Sequence, residues 1–164
     1  MTPVWVLYAM CSIPLKRWGA DDDMLVIADD NALDFSLAKF VAYAREQRTS
    51  CIMHYCEPEE KKLVKCSVVE IDENSKSLSM EEKPAQPKSH WCCPPFYVYT
   101  RENAKRAKGA IESKKCGRDA LGSFIAWPST VTDVHAMEMP GKRFDIGNLF
   151  SYEQVQKDYQ GIVI

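Results

Sequence analysis

Met24-Leu25-Val26-Ile27-Ala28 is an unbroken apolar run that stops at three polar residues, Asp29-Asp30-Asn31. Five residues are too few for a buried helix and suit a strand covered on both faces of a parallel sheet. Such a strand needs helices beside it, and the downstream pattern supplies them. Leu37, Phe40, Val41 and Ala44 recur at helical spacing and give an amphipathic helix. Residues 49–55 read as a second strand, and Glu57-Pro58 opens a short helical turn because proline is welcome at a first helical position.

Residues 66–72 and 76–81 flank Glu73-Asn74-Ser75 in the manner of a hairpin. Residues 96–100 are aromatic and β-prone. Ala104, Ala107 and Ile111 mark a helix over 101–114, with Gly117 closing the region. Residues 131–139 are strand-like. Ser151 with Gln154 makes a capping-box pattern, and Tyr152, Val155 and Tyr159 give the last helix one apolar face. Residues 5–17 fit a helix ended early by Pro14, and Asp119 starts a short helix that stops before Pro128. Helices alternate with strands throughout, which predicts a single α/β domain.

The 164-residue length is one domain's worth, and a net charge of −2 leaves no global basic field to recruit nucleic acid or anionic membrane. No run approaches the ~18 apolar residues of a membrane span. The apolar start lacks the basic residues that open a secretory leader, so none is expected. Seven cysteines is an odd count in a chain that needs no disulfide staples, which points to reduced thiols and a cytoplasmic setting. His90, Cys92, Cys93 and the pair Cys51 and Cys56 raise the question of zinc. Without a C-x-x-C spacing, and with adjacent strand cysteines facing opposite ways, a structural zinc site is not expected.

Three stretches carry chemistry. Asp30 with Asn31 falls at the carboxyl end of a predicted strand, where open sheets bind ligands, and can hold a hard, partly hydrated cation such as Mg²⁺. Asp30 or Asn31 serves equally well there as a turn or cap. Asp145 lies between Phe144 and Ile146, an apolar setting that calls for a metal or for an ion pair with Lys142 or Arg143. Glu82-Lys83-Pro84 follows a strand and halts at a proline. Lys83 offers a point charge for phosphate, and Glu82 can accept sugar hydroxyls. Tyr97 and Tyr99 share one strand face, fit either for sugar stacking or for a core.

In order along the chain, "LVIADDN", "VVEIDENSKSLSMEEKPAQPKSHW", "PPFYVYT", "GSFIAW" and "MPGKRFDIGNLFSYEQVQKDYQGI" resemble the sugar-phosphate nucleotidyltransferases of the glucose-1-phosphate thymidylyltransferase type. The resemblance covers about residues 24–162 and implies an incomplete, Rossmann-like α/β/α nucleotide-diphospho-sugar transferase fold with a mixed sheet. The implied reaction is transfer of a nucleotidyl group from dTTP or UTP to a hexose 1-phosphate, releasing pyrophosphate. By family pattern Asp30 and Asp145 hold Mg²⁺, Lys83 pins the sugar phosphate, Glu82 reads sugar hydroxyls and Tyr97 lines the sugar pocket.

Three positions depart from the family pattern. Asp29 stands where the family has glycine, Ser67 replaces a glycine that lets the sugar approach the backbone, and Leu121 replaces a proline. Nothing before Met24 resembles the glycine-rich, arginine-bearing loop that cradles the triphosphate. The expectation is therefore a chain that is weak or inactive alone, or a non-catalytic sugar-phosphate-binding remnant. The strand at 24–28 is expected at an open sheet edge, which invites self-association.

Overall fold

The computed structural model describes residues 21–28, 30–112 and 132–162, with side chains of 107–112 left aside. Asp29, Leu121 and the helices expected over 5–17 and after Asp119 fall outside the described residues.

β3 (Ser50–Cys56) organises the molecule. Its residues alternate between two cores, with Cys51 and Met53 in one and Ile52 in the other. β7 (Phe96–Tyr99) splits the same way, Phe96 and Val98 against Tyr97 and Tyr99. A helix covers each face. α1 (Ala38–Gln47) presents Phe40 and Ala44 to Cys51, Met53, Phe96 and Val98. Ala104 of α3 (Arg101–Glu112) packs with Val26, Ile52, Tyr97, Tyr99 and Val134. The layering is helix, sheet, helix, as the sequence implies.

The sheet has seven strands in the order β1 (Met24–Ile27), β7, β3, β6 (Trp91–Cys93), β4 (Ser67–Ile71), β5 (Ser77–Glu82), with β8 (Val134–Glu138) added to β3. β3–β8 is parallel, and the other pairs are antiparallel. The sheet is mixed as expected, but mostly antiparallel. β1 corrects the sequence reading. It pairs antiparallel with β7, and Leu25 and Ile27 remain 41% and 43% exposed while Val26 is buried. An unbroken apolar run signals two apolar faces, and here one of them is covered. β1 ends the strand order among the described residues.

The hairpin forms where expected. Asp72 shapes its turn by accepting from Asn74 N and Lys76 N, each at 2.8 Å, and Ser75 takes the left-handed conformation at φ 62°. Two helix starts differ from expectation. α2 (Glu60–Leu63) has Glu59 as its N-cap, so Pro58 lies ahead of it. α4 (Leu149–Asp158) is capped by Asn148, whose side chain accepts from Ser151 N while Ser151 Oγ accepts from Asn148 N. Ser151 is thus the third helical residue of the capping box and not its cap, because asparagine caps as well as serine. Tyr152 of α4 is 46% exposed, and the helix has no buried residue. Its expected apolar face is largely open.

A separate two-stranded ribbon joins β2 (Asn31–Leu33) to β9 (Arg143–Asp145). Its outer anchor is Tyr159 at the end of α4, which donates to Leu33 O at 3.1 Å and meets the Phe144 ring edge-on at 5.8 Å. The ribbon follows directly from β1, and this connection positions the candidate site.

Candidate active site

Asp30 and Asp145 are far apart in sequence and meet through backbone. Asn31 is the register partner of Asp145, and Ile146 N donates to Asp30 O at 2.8 Å, so the two aspartates flank one rung of the ribbon. Both are exposed. Asp30 Oδ1 accepts from Asn31 Nδ2 at 2.6 Å, and Asp145 Oδ1 accepts from Gly147 N at 3.0 Å. A Cβ on Gly147 would stand 3.1 Å from that same oxygen, so glycine keeps the approach to Asp145 open.

Arg143 completes this corner. Nη1 donates to Asn31 Oδ1 at 2.7 Å and lies 3.6 Å from Asp145 Oδ2. The ion pair weighed for Asp145 therefore exists, but it leaves the carboxylate 60% exposed. Arg143 also lies 6.0 Å from the centroid of the Tyr55 ring at the far end of β3. Among the described residues no three His, Cys, Asp or Glu side chains converge on one point. Two exposed carboxylates nevertheless fit Mg²⁺, which keeps several waters and takes further oxygens from substrate phosphates.

The other sequence-predicted residues, Glu82 and Lys83, lie at the end of a row across the sheet. Glu82, Ser67 and Cys93 are successive cross-strand partners on β5, β4 and β6. Ser67 Oγ donates to Glu82 Oε2. Lys83 follows at φ 49°, a left-handed conformation that a lysine rarely adopts, and its N donates to Cys66 O at 3.0 Å. That turn leaves the Lys83 side chain 61% exposed, with its ammonium 3.8 Å from Glu82 Oε1. Buried Pro84 then fixes the exit. Glu82 and Lys83 are thus one backbone-locked acid–base pair, with the base facing out.

Tyr97 is placed differently from a pocket wall. It is 1% exposed and packs with Val26, Ile52, Val69 and Cys93. Burial pushes its phenol well above the usual range, with the charges of Cys93 and Glu82 adding to the effect. It sits under the row and does not offer a free ring. An open groove of about 600 Å³ lies beyond Pro84, lined in part by Lys61, Lys88 and His90. Asp30, Asp145, Ser67, Glu82, Lys83 and Tyr97 do not line it.

Arg143 and Tyr55 escaped sequence reasoning as site-organising residues. Arg143 stood only as a candidate ion-pair partner, and nothing in a strand's pattern ties Tyr55 to residues so distant.

The family model for nucleotidyl transferases matches residues 11–161, starting ahead of Met24. A glucose-1-phosphate thymidylyltransferase of Neisseria gonorrhoeae is 49% identical over 82 residues, covering 40% of this chain and 28% of that protein. A Bacillus anthracis structure assigned as a glucose-1-phosphate thymidylyltransferase, crystallised with sucrose, superposes with a TM-score of 0.74 at 21% identity. It covers 92% of this chain, which spans 59% of its length. A UDP-glucose pyrophosphorylase complexed with UDP-glucose gives 0.75 at 17% identity, over 92% of this chain and 60% of that one. At such identities these two likenesses are of fold, the Rossmann-like fold of nucleotidyltransferases. The chain spans under a third of the curated relative and about 59% of the first structure. With a family match over most of its length and that fold beneath it, the chain belongs to the nucleotidyl transferase family.

Proposed function

We propose that this chain carries the sugar-1-phosphate and metal half of a nucleotidyltransferase site. The reaction joins a hexose 1-phosphate to the nucleotidyl group of dTTP or UTP. A phosphate oxygen of the sugar attacks the α-phosphorus, the bond to the β-phosphate breaks, and pyrophosphate leaves. No covalent protein intermediate is needed, so positioning and charge neutralisation carry the rate.

The observation that supports this reading best is the meeting of Asp30 and Asp145 across the ribbon. Bound there, Mg²⁺ would neutralise charge on the phosphates. Lys83 supplies the cation for the sugar phosphate, and its backbone bond to Cys66 O holds it in place. Glu82 accepts from sugar hydroxyls, oriented by Ser67.

The test is pyrophosphate release from dTTP or UTP with glucose 1-phosphate and Mg²⁺. Release that Asp30→Asn abolishes is expected of the proposal, whether from this chain alone or with a segment supplying a glycine-rich loop. No release in either setting, with Asp30→Asn indistinguishable from the parent, would overturn it. A second reading, a non-catalytic sugar-phosphate binder, is favoured by one observation. Lys83 is exposed and locked, a cation suited to a sugar phosphate by itself. Thermal stabilisation by glucose 1-phosphate without turnover, lost in Lys83→Ala, would select that reading.

A further inference from the structure

Val68 and Cys92 belong to one buried cluster, whereas Val69 and Cys93 belong to the core on the opposite face. On the first of these faces two thiols come together. Cys92 is the register partner of both Val68 on β4 and Tyr55 on β3. Cys66, one residue before β4, packs into the same cluster of Leu63, Val68, Cys92 and Tyr55. The Tyr55 hydroxyl lies 3.9 Å from Cys66 Sγ, and the Cys92 thiol is close enough to be the largest influence on that sulfur's titration. Cys92 is fully buried, whereas Cys66 is only half-buried, and both are free thiols.

We propose that Cys66 is a peroxide-reactive thiol and that Cys92 resolves it into a reversible intrachain disulfide. The roles follow from access and contact. Cys66 is the more accessible sulfur, and Cys92 is the buried one in the cluster against which Cys66 packs. Cys66 precedes its strand, where the backbone is free of ladder pairing and can adjust to a disulfide's geometry. Neither thiol belongs to the acid–base pair or to the aspartate ribbon, so the inference stands without the proposed reaction.

The electrostatics agree with these roles. The interaction with Cys92 is the largest influence lowering the Cys66 thiol, to about 6, with the Tyr55 hydroxyl and the Arg143 charge helping. Burial and the charge of Glu57 oppose it. The same interaction drives the Cys92 thiol upward, with burial adding to it, so the proton is biased towards Cys92 and negative charge towards Cys66.

In the first step the Cys66 thiolate attacks one oxygen of a hydroperoxide. A sulfur–oxygen bond forms, the oxygen–oxygen bond breaks, and the displaced oxyanion takes a proton from solvent. In the second step the Cys92 sulfur attacks the Cys66 sulfenic acid. The sulfur–sulfur bond forms, the sulfur–oxygen bond breaks, and hydroxide leaves with the Cys92 proton as water. Two thiols are oxidised by two electrons and one peroxide is reduced.

The experiment uses the reduced full chain, one equivalent of hydrogen peroxide at about pH 7, a maleimide quench and peptide mapping. A cross-linked peptide joining Cys66 to Cys92, lost on dithiothreitol treatment, is expected to predominate. In Cys92→Ser the product should stop at a dimedone-reactive sulfenic acid on Cys66. If that variant does not fold, alkylation of the parent decides, since iodoacetamide modification of Cys66 should titrate with a midpoint near 6. Oxidation that leaves Cys66 untouched, a predominant disulfide to a different cysteine, or an alkylation midpoint above about 8 would each overturn the inference.

Discussion

Ser67 and Glu82 are cross-strand partners joined by a hydrogen bond from the Ser67 hydroxyl to Oε2 of Glu82. The bond orients a carboxylate only 19% exposed and occupies one of its oxygens. Removing the hydroxyl leaves a largely buried charge short of a donor, which costs about 1–3 kcal/mol. Ser67→Ala is therefore expected to lower the urea midpoint by that order. Ser67→Gly also loses the hydroxyl but opens the backbone to an approaching sugar. It should bind glucose 1-phosphate more tightly while unfolding more easily, as read by calorimetry and urea titration. If tightening is absent and only stability falls, Ser67 is a strand residue and no part of the sugar grip.

Gly141 governs the ribbon from its far end. A Cβ there would lie 2.9 Å from Phe35 Cδ1 and closer still to Asp34 Oδ1, the oxygen that accepts from Lys142 N at 2.7 Å. Gly141→Ala must push Asp34 aside and disturb the entry into β9, two residues before Asp145 is reached through Arg143 and Phe144. Overpacking of this kind costs about 1–3 kcal/mol. The expected result is a lower melting temperature together with weaker Mg²⁺ binding by titration calorimetry. Unchanged Mg²⁺ affinity in a destabilised variant would separate the ribbon from the metal site.

These relationships show which parts of the fold can be read from a sequence. The helix expected over 101–114 appears as Arg101–Glu112, and the hairpin turns where Glu73-Asn74-Ser75 predicts, because period and turn chemistry are local signals. The ribbon has no such signal. Its strands are three residues each, too short for any period, and Arg143 meets Asn31 across 112 positions. Asp30 and Asp145 could be nominated separately, but only chain topology joins them. Tyr97 illustrates the opposite failure. A strand tyrosine has the same pattern whether it faces a ligand or a core, and the covering of its face by Ala104 and its neighbours decides for the core.

His54 gives the fold a pH dependence. Its ring is 8% exposed, lies edge-on to Trp91 at 4.8 Å, and its Nδ1 has no hydrogen-bond partner among the described residues. Burial holds its pKa below the ordinary value, with Glu138 partly opposing. The folded state therefore keeps His54 neutral, while the unfolded chain takes up a proton below about pH 6.5. Its contribution is fully present above that pH and is lost as pH falls towards the depressed folded value. The slope cannot exceed about 1.4 kcal/mol per pH unit for one proton. Melting temperatures from pH 8 to 5 should fall through this window, and His54→Phe should flatten the fall. An equally steep fall in that variant would assign the dependence to other groups.

The edge at β1 makes the last prediction. Leu25 and Ile27 share a face with their partners Val98 and Phe96, yet α1 covers those partners and leaves the β1 residues exposed. An edge strand with an apolar side is a template for another chain, and charge on such an edge is the usual way to block pairing. Sedimentation velocity at rising concentration should show self-association that Ile27→Lys suppresses. The substitution removes an exposed side chain and adds a solvated charge, so the melting temperature should change little. A parent that stays monomeric at high concentration would remove β1 as a pairing edge. Association undiminished by Ile27→Lys would move the contact elsewhere, with exposed Leu149 and Phe150 of α4 the next residues to charge.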